Sequence, residues 1–264
     1  MGHSQTHWDA HQYSANSAVQ YRIAMAVLAE HTFSGDEAVL DVGCGDGKIT
    51  HEIALRVPKG RVLGIDSSES MIRFAQETRA AQANLSFALK DVTNLPYANE
   101  FDVAVSTFCL QWVPDKLKAF RAVKNSLRPG GKMILLMPFR NPEIASLRKE
   151  MTREASWKHY FVDYVDPSDC ADDVQYESYA ERSGFTINSY LIDATSADFG
   201  SVAAFADFVG AVTPHLDRLP GEDEKRAFME ELVRRYLEIT PPARQKAYAA
   251  TYVYVCAKMV ATAA

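Results

Sequence analysis

The sequence predicts an α/β fold in which helices cover both faces of a mostly parallel β-sheet. In the first half of the chain, short apolar runs alternate with amphipathic runs of helical length, and strands connected in this way form βαβ units with parallel strands. The glycine-rich stretch DVGCGDG (41–47) separates the first strand from its helix, as a sharp turn at a sheet edge would. The 264 residues, 47% apolar and 23% charged, suffice for one large globular domain.

The elements follow one another regularly as far as residue 139. A helix is predicted over 18–31, where apolar residues recur at helical spacing. Five apolar runs predict strands: AVLDVG (38–43), GRVLGIDSS (60–68), LSFALKDV (85–92), EFDVAVSTF (100–108) and KMILLMPF (132–139). The helices predicted between them are KITHEIALRVP, SESMIRFAQETRAAQ, which opens with serines suited to capping, and DKLKAFRAVKNSLRPGG, which ends at proline and glycine.

The second half is less regular. It predicts a helix in VQYESYAERSGF, a sixth strand in TINSYLIDAT, helices within 199–240 and a long final strand in AYAATYVYVCAKMVA. We expect a single domain whose core comprises about 35–139, 176–198 and 244–260, with a helical cap from 1–31, 140–175 and 199–243. The cap is expected over the carboxyl ends of the strands, where open α/β sheets bind ligands. Its aromatic residues would line an apolar pocket or pack the cap against the sheet: Trp157, Tyr160, Phe161, Phe205 and Phe208.

Charge and cysteine content favour a small-molecule substrate and a cytoplasmic location. The net charge of −6 and the isoelectric point of about 5.7 give no basic surface for nucleic acid or an anionic membrane. The four cysteines are far apart and have no metal-ligand spacing, so neither disulfides nor a metal site are expected. The N-terminus lacks the apolar segment of a secretory signal, and no apolar run is long enough to span a membrane.

The glycine-rich turn carries the first functional prediction. Dinucleotide enzymes use G-x-G-x-x-G, whereas this chain has G-x-G-x-G with Asp41 two residues before it. A carboxylate there would repel a pyrophosphate but suits a ligand with a positive amino group, such as S-adenosylmethionine (SAM). Asp66 ends the second strand, at the position of a ribose-binding acid. Asp91 and Val92 end the third, and offer an acceptor and a backbone N–H to an adenine ring.

Four motifs together resemble the class I SAM-dependent methyltransferases: DVGCGDG, GIDSSESMI, DVTNLP and FDVAVSTFCLQWV. The resemblance covers about residues 35–137 and implies a Rossmann-like sheet of seven strands, with the seventh antiparallel beside the sixth. It implies SAM as cofactor, with the glycines near its methionine end, Asp66 on the ribose and Asp91 with Val92 on the adenine. The expected cofactor-binding residues are Tyr13, Asp41, Gly43, Gly45, Asp66, Ser67, Met71, Asp91, Val92 and Ser106.

A narrower resemblance reaches the N-terminal segment and the cap. YSANSAVQYR, LQW and WKHYFVDYVDP are similar to the juvenile hormone acid methyltransferases, and the trans-aconitate methyltransferases share LQW and the late helical segment. Both groups methylate carboxylates of small molecules. The resemblance implies that Gln20 and Trp112 hold the acceptor carboxylate, although a glutamine on a polar helix face and a tryptophan after a strand are ordinarily surface and core residues.

Alternatives remain open at this point. A hydroxyl or amine acceptor would require a general base, for which His159 and His215 are candidates. The chain could also bind SAM without turnover. An NAD-dependent oxidoreductase is disfavoured because the third helix-packing glycine is missing.

Overall fold

The computed structural model describes residues 8–79, 81–138, 142–166, 173–239, 245–246 and 249–264. Within these ranges the chain forms two compact units. The described residues of Trp8–Phe139, Cys170–Asp193 and Cys256–Ala264 form the first, called here the sheet unit. Those of Arg140–Asp169 and Ala194–Val255 form the second, the helical unit. The predicted placement of the cap over the strand ends concerns both units together and stays a prediction.

The sheet has the predicted seven strands in the order β3-β2-β1-β4-β5-β8-β6, and the short strand β7 pairs with β8. Strands β1 to β5 pair in parallel, and β8 runs antiparallel to β5. The strand bounds are β1 Ala38–Val42, β2 Arg61–Asp66, β3 Leu85–Leu89, β4 Phe101–Thr107, β5 Leu127–Pro138, β6 Phe185–Asp198, β7 Gln245–Lys246 and β8 Ala249–Ala263. The mostly parallel, Rossmann-like sheet is therefore confirmed.

Helices follow most of the strands, as predicted. The α-helices are α1 Ala10–Asn16, α2 Ala18–Ala29, α3 Lys48–Arg56, α4 Glu69–Arg79, α5 Lys116–Ser126, α6 Pro142–Met151, α7 Asp173–Arg182, α8 Val202–Ala211 and α9 Glu222–Ile239. Short 3₁₀ helices span Val92–Asn94, Leu110–Trp112 and Pro214–Arg218. None of the described helices is long and apolar enough to cross a bilayer.

The start of β5 differs from the sequence prediction. LRPGG (127–131) was expected to end a helix, but it is the first part of the strand. Leu127 pairs with Phe101 and Lys132 with Val103, so the register shifts across this stretch and the extra residues form a bulge. Gly130, with φ +78°, supplies the left-handed conformation of the bulge. Helix α6 lies in the stretch 140–175 that was assigned to the helical cap, whereas the 3₁₀ helices are elements that the sequence pattern did not indicate.

Each unit has its own apolar interior. In the sheet unit, the inner strands and the faces of α5 and α7 share a cluster that includes Leu40, Phe101 and Phe120. In the helical unit, aromatic rings pack edge-on or tilted against one another, as Trp157 and Phe161 do against Phe228. The aromatic residues expected in the cap therefore contribute to a core within this unit, and Trp157 also donates from Nε1 to Glu231 at 2.8 Å.

Candidate functional site

The glycine-rich turn joins β1 to α3 at the carboxyl end of the sheet. Gly43, Gly45 and Gly47 all have left-handed φ values, of +76°, +52° and +76°. The backbone N–H groups of Gly43 and Cys44 both donate to the carbonyl of Ile65 on β2, at 2.8 and 2.9 Å. The left-handed geometry explains why glycine is used three times, since other L-residues are strained there.

Packing separates the roles of the three glycines. A Cβ on residue 43 would lie 2.2 Å from Sγ of Cys109, and a Cβ on residue 47 would lie 2.8 Å from the ring of Phe87. Gly43 and Gly47 are therefore required by protein packing. Around Gly45, the nearest atom to such a Cβ is in the ring of Tyr13, at 3.7 Å. Gly45 is thus the member of the turn whose open face leaves room for a ligand.

Asp66 ends β2 and faces this turn. Its Oδ2 accepts from the N–H of Gly45 at 3.0 Å, and its Oδ1 accepts from the N–H of Ser68 at 2.9 Å. Burial raises the pKa of the Asp66 carboxyl, and the backbone hydrogen bonds oppose that rise. The carboxylate oxygens keep acceptor capacity beyond these backbone donors. Ser67 is exposed beside it, and Met71 is buried in the first turn of α4.

Asp41 lies on β1, and its side chain is 1% exposed. Its Oδ2 accepts from the hydroxyl of Thr50 at 2.7 Å. Burial raises the pKa of Asp41 to about 7; the Thr50 hydrogen bond lowers it and the nearby Asp66 raises it further. A cation placed beside this carboxyl would stabilise its ionised form and lower its pKa.

Three further predicted residues have local structural partners. The Asp91 carboxylate caps the Val92–Asn94 helix by accepting from the N–H of Thr93 at 2.8 Å, and its side chain is exposed. Val92 is buried in the core of the sheet unit. The buried hydroxyl of Ser106 donates to the carbonyl of Val42 at 2.9 Å and so ties β4 to β1. These contacts fix the loop ends around the turn and leave one oxygen of Asp91 for a ligand.

The N-terminal segment lies against the glycine-rich turn. The Tyr13 ring packs beside Gly45, and burial together with the charges of Asp46 and Asp66 raises the pKa of its hydroxyl. Lys48, at the start of α3, donates to the Ser14 carbonyl and pairs with Asp46 at 3.3 Å. Helix α1 is thereby held on the cofactor side of the sheet unit.

The same segment reaches the LQW turn. The Trp8 ring packs edge-on against Trp112 with centroids 5.2 Å apart, and against Tyr13 at 5.8 Å. The Ser70 hydroxyl donates to the Trp8 carbonyl at 2.6 Å, which fixes that residue to α4. Trp112 is half-buried, and no residue in the described parts of the chain accepts from its indole N–H. Its donor is therefore available to a ligand.

Gln20 is buried, contrary to what its residue type suggests. It belongs to the buried stripe of α2, which comprises Gln20, Ile23, Ala24, Val27 and Leu28. The side chain is 5% exposed, and its Oε1 is enclosed with no hydrogen-bond partner among the described residues. Buried carboxamides are normally hydrogen-bonded, so the Gln20 amide has hydrogen-bonding capacity that a ligand could use. The spacing of 20, 23, 24, 27 and 28 was the sequence signal for this burial.

The candidate bases lie in the helical unit. His215 is 2% exposed and packs among aromatic rings, including those of Phe161 and Tyr164. His159 is exposed, and its ring lies beside that of Tyr160 at an angle of 43°. Over the described ranges, no group of three or more His, Cys, Asp or Glu side chains could hold a metal ion.

Comparisons with known proteins give a consistent picture. Residues 33–184 match the family model described as "Methyltransferase domain". The chain is 32% identical to protein 235L of Invertebrate iridescent virus 6, which is named as a methyltransferase, over 87% of this chain and 85% of that one. It is 31% identical to trans-aconitate 2-methyltransferase of Rhodopseudomonas palustris, over 58% of this chain and 59% of that enzyme. It is 29% identical to malonyl-[acyl-carrier protein] O-methyltransferase of Xylella fastidiosa, over 57% and 52%.

Solved structures show the same fold. The YcgJ protein of Bacillus subtilis superposes with a TM-score of 0.64 at 14% identity, over 92% of this chain and 98% of that one. Phosphoethanolamine N-methyltransferase 2 of Haemonchus contortus, crystallised with SAM, gives a TM-score of 0.59 at 18% identity, over 96% of this chain and 56% of that one. These similarities establish the fold around the glycine-rich turn.

Proposed function

This chain belongs to the SAM-dependent methyltransferases, and from that premise we propose that it methylates the carboxylate of a small, partly apolar acid. The observation that carries the proposal is the buried carboxamide of Gln20, whose N–H donors have no acceptor among the described residues. The indole N–H of Trp112, for which the described residues offer no acceptor, and two relatives named for carboxyl-bearing substrates support it. Cytoplasmic location and the absence of a nucleic-acid partner remain predictions from the composition.

The residues around the turn fit SAM. Gly45 leaves an open face, and both oxygens of Asp66 can still accept from the two ribose hydroxyls. Asp41 would lie toward the positive methionine end, and Asp91 would accept from the adenine amine. Tyr13, Ser67, Met71, Val92 and Ser106 would complete the cofactor site. SAM supplies an electrophilic methyl group, so the chain has to position a nucleophile in line and exclude water.

A carboxylate acceptor suits neutral donors. A carboxylic acid with a pKa of about 4 is ionised at neutral pH, so no general base is required. The Gln20 amide and the Trp112 indole can orient the carboxylate without adding a positive charge. A guanidinium would stabilise the charged ground state more than the transition state, in which that charge is being lost.

A hydroxyl or amine acceptor is the second candidate, and the structure gives it less support. It needs a base that touches the acceptor. His215 is enclosed by aromatic side chains of the helical unit, and His159 is an exposed residue of the same unit.

Asp66 provides a test of the cofactor site. Asp66→Ala is expected to weaken SAM binding by about 1.5–3 kcal/mol, because it removes a charged acceptor of both ribose hydroxyls. The measurement is calorimetric titration with SAM, and NAD should not bind. Glu69→Ala, an exposed change three residues later, is the control and should bind SAM as the wild type does. Unchanged SAM affinity in folded Asp66→Ala protein would contradict the assignment.

Gln20 and Trp112 test the acceptor. Gln20→Leu and Trp112→Phe should each lower kcat/KM for an acid by about 10- to 100-fold, as expected for losing a hydrogen bond to a charged group. SAM affinity should stay within about twofold, since neither side chain is assigned to the cofactor. Gln76→Leu, on the exposed face of α4, is the matched control. Ester formation is followed with labelled SAM over a panel of acids, phenols and amines.

The pH profile separates the two candidates. With an acid and saturating SAM, kcat should be flat from about pH 6 to 8, because the nucleophile is ionised throughout. A rise through about pH 6.5 that His159→Ala or His215→Ala abolishes would identify a histidine base. That result, with phenols or amines as the preferred acceptors, would replace the carboxylate proposal.

A further inference from the structure

A cleft lies in the sheet unit between helix α5 and the segment 93–99, which is part of the connection from β3 to β4. Its volume is about 580 Å³, within the range of cavities that bind small organic molecules. Both walls contribute polar side chains, which are Lys118, Arg121, Lys124 and Asn125 from α5 and Asn94 and Asn99 from the segment. None of these residues is assigned to the cofactor or to the methyl acceptor.

The three cations of the cleft form a row without carboxylate partners. Lys118 and Arg121 are three residues apart on α5, and Lys124 follows after three more, so the row extends over about 9 Å along the helix. Among the described residues, no Asp or Glu is within ion-pair distance of any of the three. The chain as a whole has 34 acidic and 28 basic residues, so this row is a local excess of positive charge that attracts an anion.

Backbone hydrogen bonds hold the two walls of the cleft together. The N–H of Asn99 donates to the carbonyl of Asn125, and the N–H of Glu100 donates to the carbonyl of Ser126, both at 2.9 Å. Asn99 has a left-handed φ of +54°, a conformation that asparagine adopts more readily than most residues. The cleft is therefore formed before a ligand binds, which lowers the free-energy cost of binding.

The lining of the cleft defines the chemistry of its ligand. Arginine binds phosphate through its fork of N–H donors, and lysine binds it as a point charge. The carboxamides of Asn94, Asn99 and Asn125 have no partner in the described structure, so their N–H groups can also donate to phosphate oxygens. Two phosphate groups, with a charge of about −1.5 to −2 each at pH 7, would balance the three cations.

The remaining part of the cleft suits an organic group. Leu95 and Tyr97 line it and also pack on the core of the sheet unit. The Tyr97 ring is held edge-on against Phe101, with centroids 5.3 Å apart. A fixed aromatic ring beside a row of cations matches a ligand in which a planar or apolar group is attached to the phosphates.

We propose that this cleft binds a small organic molecule with two phosphate groups, of the chemical class of the nucleoside diphosphates. The phosphates bind Lys118, Arg121 and Lys124, and the organic group lies against Leu95 and Tyr97. The site uses none of the residues assigned to SAM or to the acceptor. The inference therefore does not depend on which group the enzyme methylates.

Calorimetric titration with ADP tests this site, at about 0.15 M salt without divalent metal. Saturating SAM is present, so that ADP cannot enter the adenine position of the cofactor site. Wild-type protein should bind ADP more tightly than pyrophosphate, and inorganic phosphate about tenfold more weakly than pyrophosphate. Lys118→Gln/Arg121→Gln should weaken ADP binding by about tenfold or more, because two charged donors are lost.

Lys59→Gln/Arg153→Gln is the matched control. It removes one lysine and one arginine that are exposed and lie outside the cleft, and its affinity for ADP should stay within about twofold of wild type. Lys118 and Arg121 are also exposed, so both double variants should keep the Tm and the SAM affinity of wild type. Equal losses of ADP affinity in the two variants would show a general effect of net charge and overturn the inference.

Further outcomes would also overturn it. If neither ADP nor pyrophosphate binds at about 1 mM, there is no phosphate site. Citrate that binds as tightly as pyrophosphate would show a site for polycarboxylates, and a short single-stranded oligonucleotide that binds more tightly than ADP would show a nucleic-acid contact. Pyrophosphate that binds as tightly as ADP would contradict the role of the Tyr97 wall. Methyl transfer is not measured in any of these titrations, so their failure leaves the proposed function untouched.

Discussion

Replacing Gly43 with alanine is expected to lower the free energy of unfolding by about 2–5 kcal/mol, from left-handed strain of roughly 1–2 and overpacking of roughly 1–3 kcal/mol. The added methyl group would stand 2.2 Å from Sγ and 2.3 Å from Cβ of Cys109, at a φ of +76°. The Cys109 Cβ cannot move by rotation of its side chain, so the backbone of the turn or of the 109–112 stretch must shift. Chemical denaturation of the protein without SAM measures the change.

Gly45→Ala is the matched control. It also adds a methyl group at a left-handed position, with φ +52°, but the nearest atom is 3.7 Å away in the Tyr13 ring. Its cost in stability should be about 1–2 kcal/mol, from backbone strain alone. The affinity of this variant for SAM should also fall, because the methyl group occupies the face left open for the ligand. Equal losses of stability in both variants would contradict the role assigned to Cys109.

Asp41→Asn is expected to stabilise the protein without SAM and to weaken its binding of SAM. The Asp41 pKa is about 7 in the folded protein against an unfolded value of 3.8. Because folding raises its pKa, the Asp41 carboxyl lowers the free energy of unfolding as the pH rises from about 4 to 7. This loss of stability is largest above pH 7. At 1.36 kcal/mol per pKa unit, the ionised Asp41 carboxyl lowers the free energy of unfolding at pH 8 by on the order of 4 kcal/mol. The Asp41→Asn variant avoids this loss, but its unpaired amide N–H costs about 1–3 kcal/mol.

The pH dependence makes this prediction specific. The gain in unfolding free energy should grow from about pH 4 to 7 and then level off, as the wild-type carboxyl ionises. A cation beside Asp41 lowers its pKa, so wild-type protein should release a proton on binding SAM at about pH 6.5. Calorimetry in buffers of different ionisation enthalpy detects that proton. A variant with lower stability at pH 8, or one that still releases the proton, would contradict the assignment of Asp41.

The sheet and the cofactor side could be predicted because their signals are local. Buried parallel strands are short apolar runs, and a strand end marked by Asp41 or Asp66 beside alternating glycines is visible in a single window of sequence. The resemblance to methyltransferases rests on these same windows. Some strand ends differ from the prediction by a few residues. The third strand was predicted to reach Val92, but β3 ends at Leu89 and Asp91 caps the 3₁₀ helix that follows.

The acceptor side was harder because its features depend on distant parts of the chain. The contact of Trp8 with Trp112 joins residues about a hundred positions apart, and no periodicity marks it. Gln20 is of a residue type that is ordinarily exposed, and its burial with an Oε1 that has no partner among the described residues distinguishes it. The bulge at LRPGG was misassigned because proline and glycine favour a turn, while pairing to β4 selects an irregular strand.

The attachment of the N-terminal segment has a kinetic consequence. Tyr13 packs beside Gly45 and Trp8 beside Trp112, and Lys48 fastens the segment between them to the start of α3. The spent cofactor left after each turnover would lie beneath this segment, so its departure requires these contacts to open. Release of the spent cofactor and entry of the next one would then both depend on the opening of this segment.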